Sequence, residues 1–174
     1  MSPVAVLVGP PGAGKTTVGT LLAERLAVPF ADTDALVEVR VGCSVADIFT
    51  GQGEAAFREL ERATVAEALA AHDGVLALGG GAVLAGTTRD ALAGHPVVLL
   101  EVGMAAGVRR TGLSTARPLL AGVNPRATFA ALLADRLPLY RAVARHTVVT
   151  DDLAPAAVCE AVLAALDPAR VQAP

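Results

Sequence analysis

The residues with the clearest chemical spacing are residues 9–16, Gly-Pro-Pro-Gly-Ala-Gly-Lys-Thr, which we call the phosphate loop. They fit the pattern G-x-x-x-x-G-K-[ST] at every fixed position. Glycines let backbone N–H groups turn inward around an anion, and a helix that starts there points its positive end at the same place. Lys15 can reach the β- and γ-phosphates, and the Thr16 hydroxyl suits a magnesium position. The loop therefore predicts a nucleoside triphosphate site, and an ordinary Gly/Pro turn is the alternative.

Two carboxylates, Asp32 and Asp34, flank Thr33 in the polar turn that ends the second predicted strand. In an extended segment, alternate side chains face the same way. Beside a triphosphate, one carboxylate would serve magnesium and the other an acceptor hydroxyl. Asp and Thr are also common just before a helix, where their side chains cap it. Capping and catalysis both remain open from the sequence.

Arg58 has Glu54 four residues before it and Glu61 three residues after it on a predicted helix. This spacing is typical of a solvated ion pair, but it also suits a guanidinium that holds a substrate carboxylate through two hydrogen bonds. The three glycines at 79–81 follow a buried strand, and they indicate either a close approach of backbone to a ligand or a tight turn.

Three arginines accompany the polar stretch 111–124. Arg109 and Arg110 come directly before it, and Arg117 lies inside it. The stretch is either a solvated loop or a mobile lid that brings an arginine to the transferring phosphate. A further basic group follows in the next predicted helix: Arg136, Arg141 and Arg145.

The composition limits the class of protein. The 174 residues carry a formal net charge of −3, which argues weakly against bulk nucleic-acid binding. No apolar run reaches the ~18 residues of a membrane-spanning helix, and no basic region precedes the first strand, so we expect a soluble cytoplasmic protein. Cys43 and Cys159 lack metal-type spacing and are expected to be free thiols. Lys15 is the only lysine of the chain.

Strands alternate with helices along the chain, which predicts one α/β domain over 1–168 with a parallel sheet covered on both faces, and a frayed tail at 169–174. Strands are expected at 4–8, 30–34, 75–78, 97–100 and 147–150. Helices are expected from the phosphate loop to residue 26, and at 35–41, 44–50, 54–71, 87–93, 105–110, 126–143 and 155–166, with a kink or restart at Pro138. Because ligands bind at the carboxyl ends of parallel strands, the phosphate loop, residues 32–34 and residues 79–81 should meet in one crevice.

Six stretches in this order resemble the shikimate kinase family, in its actinobacterial layout: GPPGAGKTT, ADTD, SVADIF with FRELE, LGGGAV, RRT with ARPLL, and DRLPLY. The resemblance covers residues 4 to about 166. The phosphate loop is common to many unrelated enzymes, whereas the combination of ADTD, FRELE, GGG and DRLPLY is specific to the family.

The resemblance implies transfer of the γ-phosphate of ATP to the 3-hydroxyl of shikimate, dependent on Mg²⁺, in aromatic amino-acid biosynthesis. It implies a fold like that of nucleoside monophosphate kinases, a five-stranded parallel sheet flanked by helices, with a substrate-binding region at about 34–62 and a lid at about 111–124. Shikimate and ATP are the implied partners of a cytoplasmic monomer, without nucleic acid or membrane.

The resemblance also assigns roles to residues. Asp34, Lys15 and Arg117 would be catalytic, and Thr16 and Asp32 would serve the metal. Shikimate would be bound by Asp34, Arg58, Gly79, Gly80, Gly81, Arg136, Phe49 and Phe57. The nucleotide would be bound by Gly12, Ala13, Gly14, Lys15, Thr16, Thr17, Arg110, Arg117 and Pro155, and Leu153 replaces a polar or basic residue of some relatives near the adenine.

Two alternatives remain. The chain could be a related small-molecule kinase, for gluconate or a nucleoside monophosphate, since such enzymes share the phosphate loop. It could also be a nucleotide-dependent switch without a small substrate, with 111–124 as its partner-binding loop.

Overall fold

The computed structural model describes residues 2–111 and 124–167. Five parallel strands form one sheet in the order β2-β3-β1-β4-β5. Their bounds are β1 Ala5–Val8, β2 Phe30–Asp32, β3 Val75–Ala77, β4 Val97–Glu101 and β5 His146–Val149. The residues of β1 and β3 are all buried, as their continuous apolar sequences predict for strands covered on both faces. The predicted fold class is confirmed.

The register of the sheet places the predicted site elements at one edge. Leu7 pairs with Ala77 of β3 and with Val98 of β4, and Asp32 at the end of β2 also pairs with Ala77. The chain therefore leaves β1, β2 and β3 at the same level. Because the three strands are parallel, the segments that follow them share one crevice, as the sequence predicts.

Seven α-helices and a short 3-10 helix flank the sheet within the described residues. The α-helices are α1 Lys15–Leu26, α2 Thr33–Val41, α3 Val45–Ala71, α4 Gly86–Ala91, α5 Met104–Thr111, α6 Pro125–Val143 and α7 Pro155–Leu166, and the 3-10 helix is Ala82–Leu84. Alternate residues of β1 serve opposite cores. Ala5 and Leu7 face a core with α1 and α7, while Val6 and Val8 face one with α3 and the 3-10 helix.

Two predicted helix boundaries need correction. Helix α2 begins at Thr33 rather than at residue 35, because the side chain of Asp32 accepts the N–H of Asp34 and caps the helix. Helix α6 runs through Pro138 as one element, so of the predicted kink or restart the restart is wrong, and the kink stays a prediction. Phe129 anchors one half of α6 in the first core and Tyr140 anchors the other half in the second, which outweighs the hydrogen bond that a proline removes.

The predicted break at residues 51–53 is confirmed, because Gly53 leaves the helical conformation inside α3 at φ 84° and ψ 169°. This break separates the part of α3 that carries Phe49 from the part that carries Phe57 and Arg58. Among the described residues, no helix has both the length and the apolar content for crossing a membrane. The expected lid at 111–124, apart from its two end residues, and the whole expected frayed tail at 169–174 lie outside the described residues.

Candidate active site

A cavity of about 530 Å³ opens at the carboxyl edge of the sheet. It is formed by the phosphate loop and the start of α1, the end of β2, the first half of α3, the glycines after β3, and α6. Its lining includes most of the predicted site residues: Gly12, Gly14, Lys15, Thr16, Thr17, Asp32, Asp34, Phe49, Phe57, Arg58, Gly79, Gly80, Gly81, Arg110 and Arg136.

The phosphate loop has the conformation that its glycines predict. Gly14 precedes α1 with φ 88°, a left-handed conformation that residues with a side chain rarely adopt. The ammonium of Lys15 donates to the carbonyl oxygens of Gly9 at 2.7 Å and of Pro10 at 3.1 Å. Ala13 is buried, and its N–H donates to the carbonyl of Pro10. Its predicted contact with the nucleotide stays a prediction.

Asp32 has two hydrogen bonds, which show that it caps α2 and leave its role in the site as a prediction. One carboxylate oxygen accepts the N–H of Asp34 at 3.0 Å, and the other accepts the hydroxyl of Thr16 at 2.7 Å. The same residue therefore caps α2 and accepts a hydrogen bond from the predicted metal ligand Thr16. Capping and a role in the site are compatible.

Asp34 lies in the first turn of α2 and points at the glycines after β3. Its Oδ1 is buried and has no hydrogen-bond partner among the residues that the structure describes. Burial raises the pKa of Asp34 to about 6, helped by the negative charges of Asp32 and Glu61 and opposed by Lys15 and Arg58. A buried carboxylate that has an oxygen without a hydrogen-bond partner and lies beside a phosphate loop is well placed to accept a proton.

Glu61 is a site residue that the sequence assigned only to an ion pair. It is 2% exposed and lines the cavity. Its Oε2 accepts from Arg58 at 2.7 Å, while Oε1 has no partner within the described residues. Burial raises the pKa of Glu61, whereas the positive charges of Arg58 and Arg136 oppose that rise. The last glutamate of FRELE was the available signal, but spacing alone does not reveal that this helix face is buried.

Arg58 combines both roles that its spacing allows. It pairs with the half-exposed Glu54 at 3.2 Å and with the buried Glu61. Its guanidinium also lies over the ring of Phe57, 5.2 Å from the centroid, and 6.0 Å from that of Phe49. A Cβ on Gly81 would collide with this guanidinium, so the third glycine gives it room. Arg58 thus enters the cavity already oriented by its neighbours.

Arg136 is the member of the second basic group that reaches the cavity. It is 8% exposed, on the face of α6 that turns toward the glycines. Arg141 instead pairs with Glu101 at 2.8 Å on the surface. One turn after Arg136, the buried Tyr140 donates from its hydroxyl to the carbonyl of Gly80 at 2.5 Å. The sequence patterns did not point to Tyr140, although its place at the end of DRLPLY was an available signal.

The other end of the cavity is bordered by Arg110. Its guanidinium donates to the carbonyl of Gly12 at 3.3 Å and to the hydroxyl and carbonyl of Thr150 at 3.1 and 2.9 Å. Arg110 therefore ties the phosphate loop to the end of β5. Pro155 begins α7 after this point and does not line the cavity, and Leu153 is exposed. Arg117 lies outside the described residues.

Known proteins match this chain over nearly its whole length. The family model described as "Shikimate kinase" matches residues 11–167. The shikimate kinase of Saccharopolyspora erythraea is 64% identical over 163 residues, which cover 94% of this chain and 93% of that protein. The shikimate kinase of Thermobifida fusca is 60% identical over 158 residues, with 91% of each chain covered.

A solved structure agrees with the sequence matches. The shikimate kinase from Acinetobacter baumannii, in complex with shikimate, superimposes with a TM-score of 0.90 at 38% identity, covering 94% of this chain and 92% of that chain. The family model and these relatives agree with the fold, and the chain belongs to the shikimate kinase family.

Proposed function

We propose that this chain transfers the γ-phosphate of ATP to the 3-hydroxyl of shikimate, giving shikimate 3-phosphate and ADP in aromatic amino-acid biosynthesis. One observation carries the proposal. A single cavity holds the phosphate loop at one end and two arginines at the other, and it is also lined by Asp34, whose carboxylate interacts with the charges of both Lys15 and Arg58. Phosphoryl transfer to a hydroxyl depends mostly on such positioning and on charge neutralisation.

The arginine end suits the carboxylate of shikimate. Arg58 and Arg136 are planar donors that can each hold a carboxylate through two hydrogen bonds, and both line the cavity. Phe49 and Phe57, with ring centroids 4.9 Å apart, supply an apolar wall for the carbon ring. The glycine backbone at 79–81 lies beside them and lets the ligand approach closely.

Asp34 would act on the acceptor hydroxyl. Its carboxylate accepts the proton of the 3-hydroxyl while the oxygen of that hydroxyl bonds to the γ-phosphorus. The bond from this phosphorus to the β–γ bridging oxygen breaks at the same time, and ADP leaves. A pKa of about 6 leaves Asp34 mostly ionised at neutral pH and makes it a stronger base than an exposed aspartate. The carboxylate then holds the proton at the end of the transfer.

The phosphate-loop end suits ATP, the co-substrate of the family. Lys15 and the backbone around Gly12, Gly14 and Thr17 line the cavity where the β- and γ-phosphates would lie. Lys15 and Arg117 would stabilise the charge that develops on the transferred group. Arg110 and Pro155 would border the adenine. The roles of Arg117 and Pro155 stay predictions.

Magnesium fits the residues beside the phosphate loop. The hydroxyl of Thr16 and the carboxylate of Asp32 lie 2.7 Å apart at the edge of the cavity, and both are oxygen ligands. No group of three or more His, Cys, Asp or Glu forms a metal site in the described part of the chain. That is the usual case for Mg²⁺, which takes one or two protein oxygens with phosphates and water. When bound, the ion neutralises charge on the phosphate oxygens.

The regions named from the sequence complete the proposal. Residues 34–62 would form the substrate-binding region, since Asp34, Phe49, Phe57, Arg58 and Glu61 all line the cavity. Residues 111–124 would close over the nucleotide, and the enzyme would act as a cytoplasmic monomer. These assignments stay predictions, and size-exclusion chromatography tests the monomer.

An ADP-release assay with ATP and Mg²⁺ tests the function against both alternatives. The acceptors are shikimate, gluconate and AMP, and Lys15→Ala, which alters the only lysine, controls for contaminating kinases. We expect turnover with shikimate alone. Turnover with gluconate or AMP but not shikimate would contradict the substrate assignment. ATP binding without acceptor-dependent turnover would favour the nucleotide-dependent switch.

A further inference from the structure

Tyr140 connects two groups that line the proposed carboxylate subsite. Its side chain is fully buried, and its ring packs in the core that contains Leu78, Ala82 and Val83. Its hydroxyl donates to the carbonyl of Gly80 at 2.5 Å. Burial raises the pKa of Tyr140 to about 12, while the charge and hydrogen bond of the neighbouring Arg136 oppose that rise. Arg136 is also buried and lies one helical turn before Tyr140 on α6, so the Tyr140 hydroxyl has the Arg136 side chain on one side and the backbone of Gly80 on the other.

This contact matters because Arg136 and Gly80 come from distant parts of the chain. Gly80 lies on the loop after β3, and Arg136 lies on α6. A free arginine side chain loses about 2 kcal/mol of rotamer entropy when it is fixed. A group already held in the binding geometry loses less of that entropy when the ligand arrives, so the affinity is higher.

We propose that Tyr140 is the positioning residue of the carboxylate subsite, and that its hydroxyl fixes the guanidinium of Arg136 relative to the Gly79–Gly81 backbone before shikimate binds. This inference rests on the proposed function. In this proposal Tyr140 does not contact the reacting atoms. A residue needed only for core packing would act through its ring, whereas a positioning residue acts through its hydroxyl.

The substitution Tyr140→Phe separates these roles because it keeps the ring and removes the hydroxyl. We expect KM for shikimate to rise about tenfold, since one hydrogen bond to a charged group is lost. The kcat value and KM for ATP should stay within about twofold of the wild type. Leu92→Ala, in the same core, is the packing control and should lower the melting temperature without raising KM for shikimate.

The methyl ester of shikimate identifies the subsite. The ester lacks the negative charge, so Tyr140→Phe and the wild type should phosphorylate it at the same rate. An equal loss with the acid and the ester, or an unchanged KM for shikimate, would overturn the proposal. A wild-type enzyme that does not phosphorylate shikimate would contradict the proposed function instead, and this result is distinguishable because it needs no variant.

A second measurement uses the wild-type protein and does not depend on the folding of a variant. The chain has one tyrosine and no tryptophan, so Tyr140 supplies its tyrosine fluorescence. We expect shikimate to change this emission saturably and its methyl ester to leave it unchanged. Shikimate binding that is measurable by calorimetry but leaves the emission unchanged would overturn the proposal.

Discussion

The carboxylate of Asp34 lies against Gly79, in the space where any other residue would place its Cβ. Glu61 approaches the same space, with its Oε1 2.7 Å from that Cβ position. Gly79 has no left-handed backbone, so a turn does not explain this glycine. The close approach of two carboxylates does, and it is an explanation that the sequence did not offer beside the approach of a ligand and the tight turn.

Substitution of Gly79 by alanine should therefore impair catalysis more than folding. The added methyl group would push Asp34 away from its position, and we expect kcat to fall by about 100-fold, as in other sites where a reacting group is misplaced by about 1 Å. Steady-state kinetics with a parallel thermal melt measure both effects.

Gly51→Ala is the matched control for this substitution. A Cβ at residue 51 meets nothing within 4 Å, and the residue lies in α3 and does not line the cavity. Its kinetics should match those of the wild type. If Gly79→Ala retained full kcat, the packing of Asp34 against Gly79 would have no catalytic importance.

Asp34→Asn should remove most turnover and preserve ATP binding. The amide keeps the shape of the side chain but cannot accept the proton of the hydroxyl, so we expect kcat to fall by about 10²- to 10⁴-fold. The exposed Asp73→Asn is the charge control. Calorimetry with an ATP analogue checks that the phosphate loop is intact. Near-normal turnover of Asp34→Asn would favour direct proton transfer to the phosphate.

The sequence predicted best what depends on local structure. The phosphate loop, the parallel sheet and the convergence of residues 32–34 and 79–81 follow from short patterns and from the geometry of parallel strands. The start of α2 at Thr33 was missed because Asp32 was not recognised as the cap.

Glu61 and Tyr140 could not be found in this way. Glu61 lies at the spacing of a surface ion pair, and only the packing of α3 over the glycines buries it. Tyr140 acts on Gly80, sixty residues away in the chain. Such contacts depend on tertiary structure, and neither helical periodicity nor a single motif contains them.

The raised pKa of Asp34 predicts a pH dependence of stability. The folded-state pKa of about 6 exceeds the ordinary value of 3.8, so the folded state binds this proton more tightly than the unfolded state. The contribution of Asp34 to the free energy of unfolding is therefore most favourable below pH 3.8 and falls as the pH rises to about 6. At pH 8, Asp34→Asn should be more stable than the wild type by up to roughly 3 kcal/mol, because the pKa rises from 3.8 to about 6 and each pKa unit corresponds to about 1.36 kcal/mol.

Urea unfolding of both proteins at pH 5 and pH 8 measures this difference. The stability gain of Asp34→Asn should be smaller at pH 5, where the wild-type carboxylate is already protonated in the folded state. Asp73→Asn again serves as the control, with no gain expected at either pH. An equal gain at both values would mean that the charge of Asp34 does not destabilise the fold.

Arg58→Ala and Arg136→Ala should each weaken shikimate binding and leave ATP binding intact. Hydrogen bonds to a charged group are worth roughly 1.5–3 kcal/mol, so we expect KM for shikimate to rise by about 10- to 100-fold in each variant. Each has a control on its own helix, Arg62→Ala on α3 and Arg141→Ala on α6, where the arginine instead pairs with a glutamate at the surface.

Arg58→Ala should also lower the melting temperature more than Arg62→Ala does, because it leaves the buried Glu61 without its ionic partner. Calorimetry with shikimate and with an ATP analogue separates the two ligands, and wild-type affinity for shikimate in both variants would show that the carboxylate is bound elsewhere.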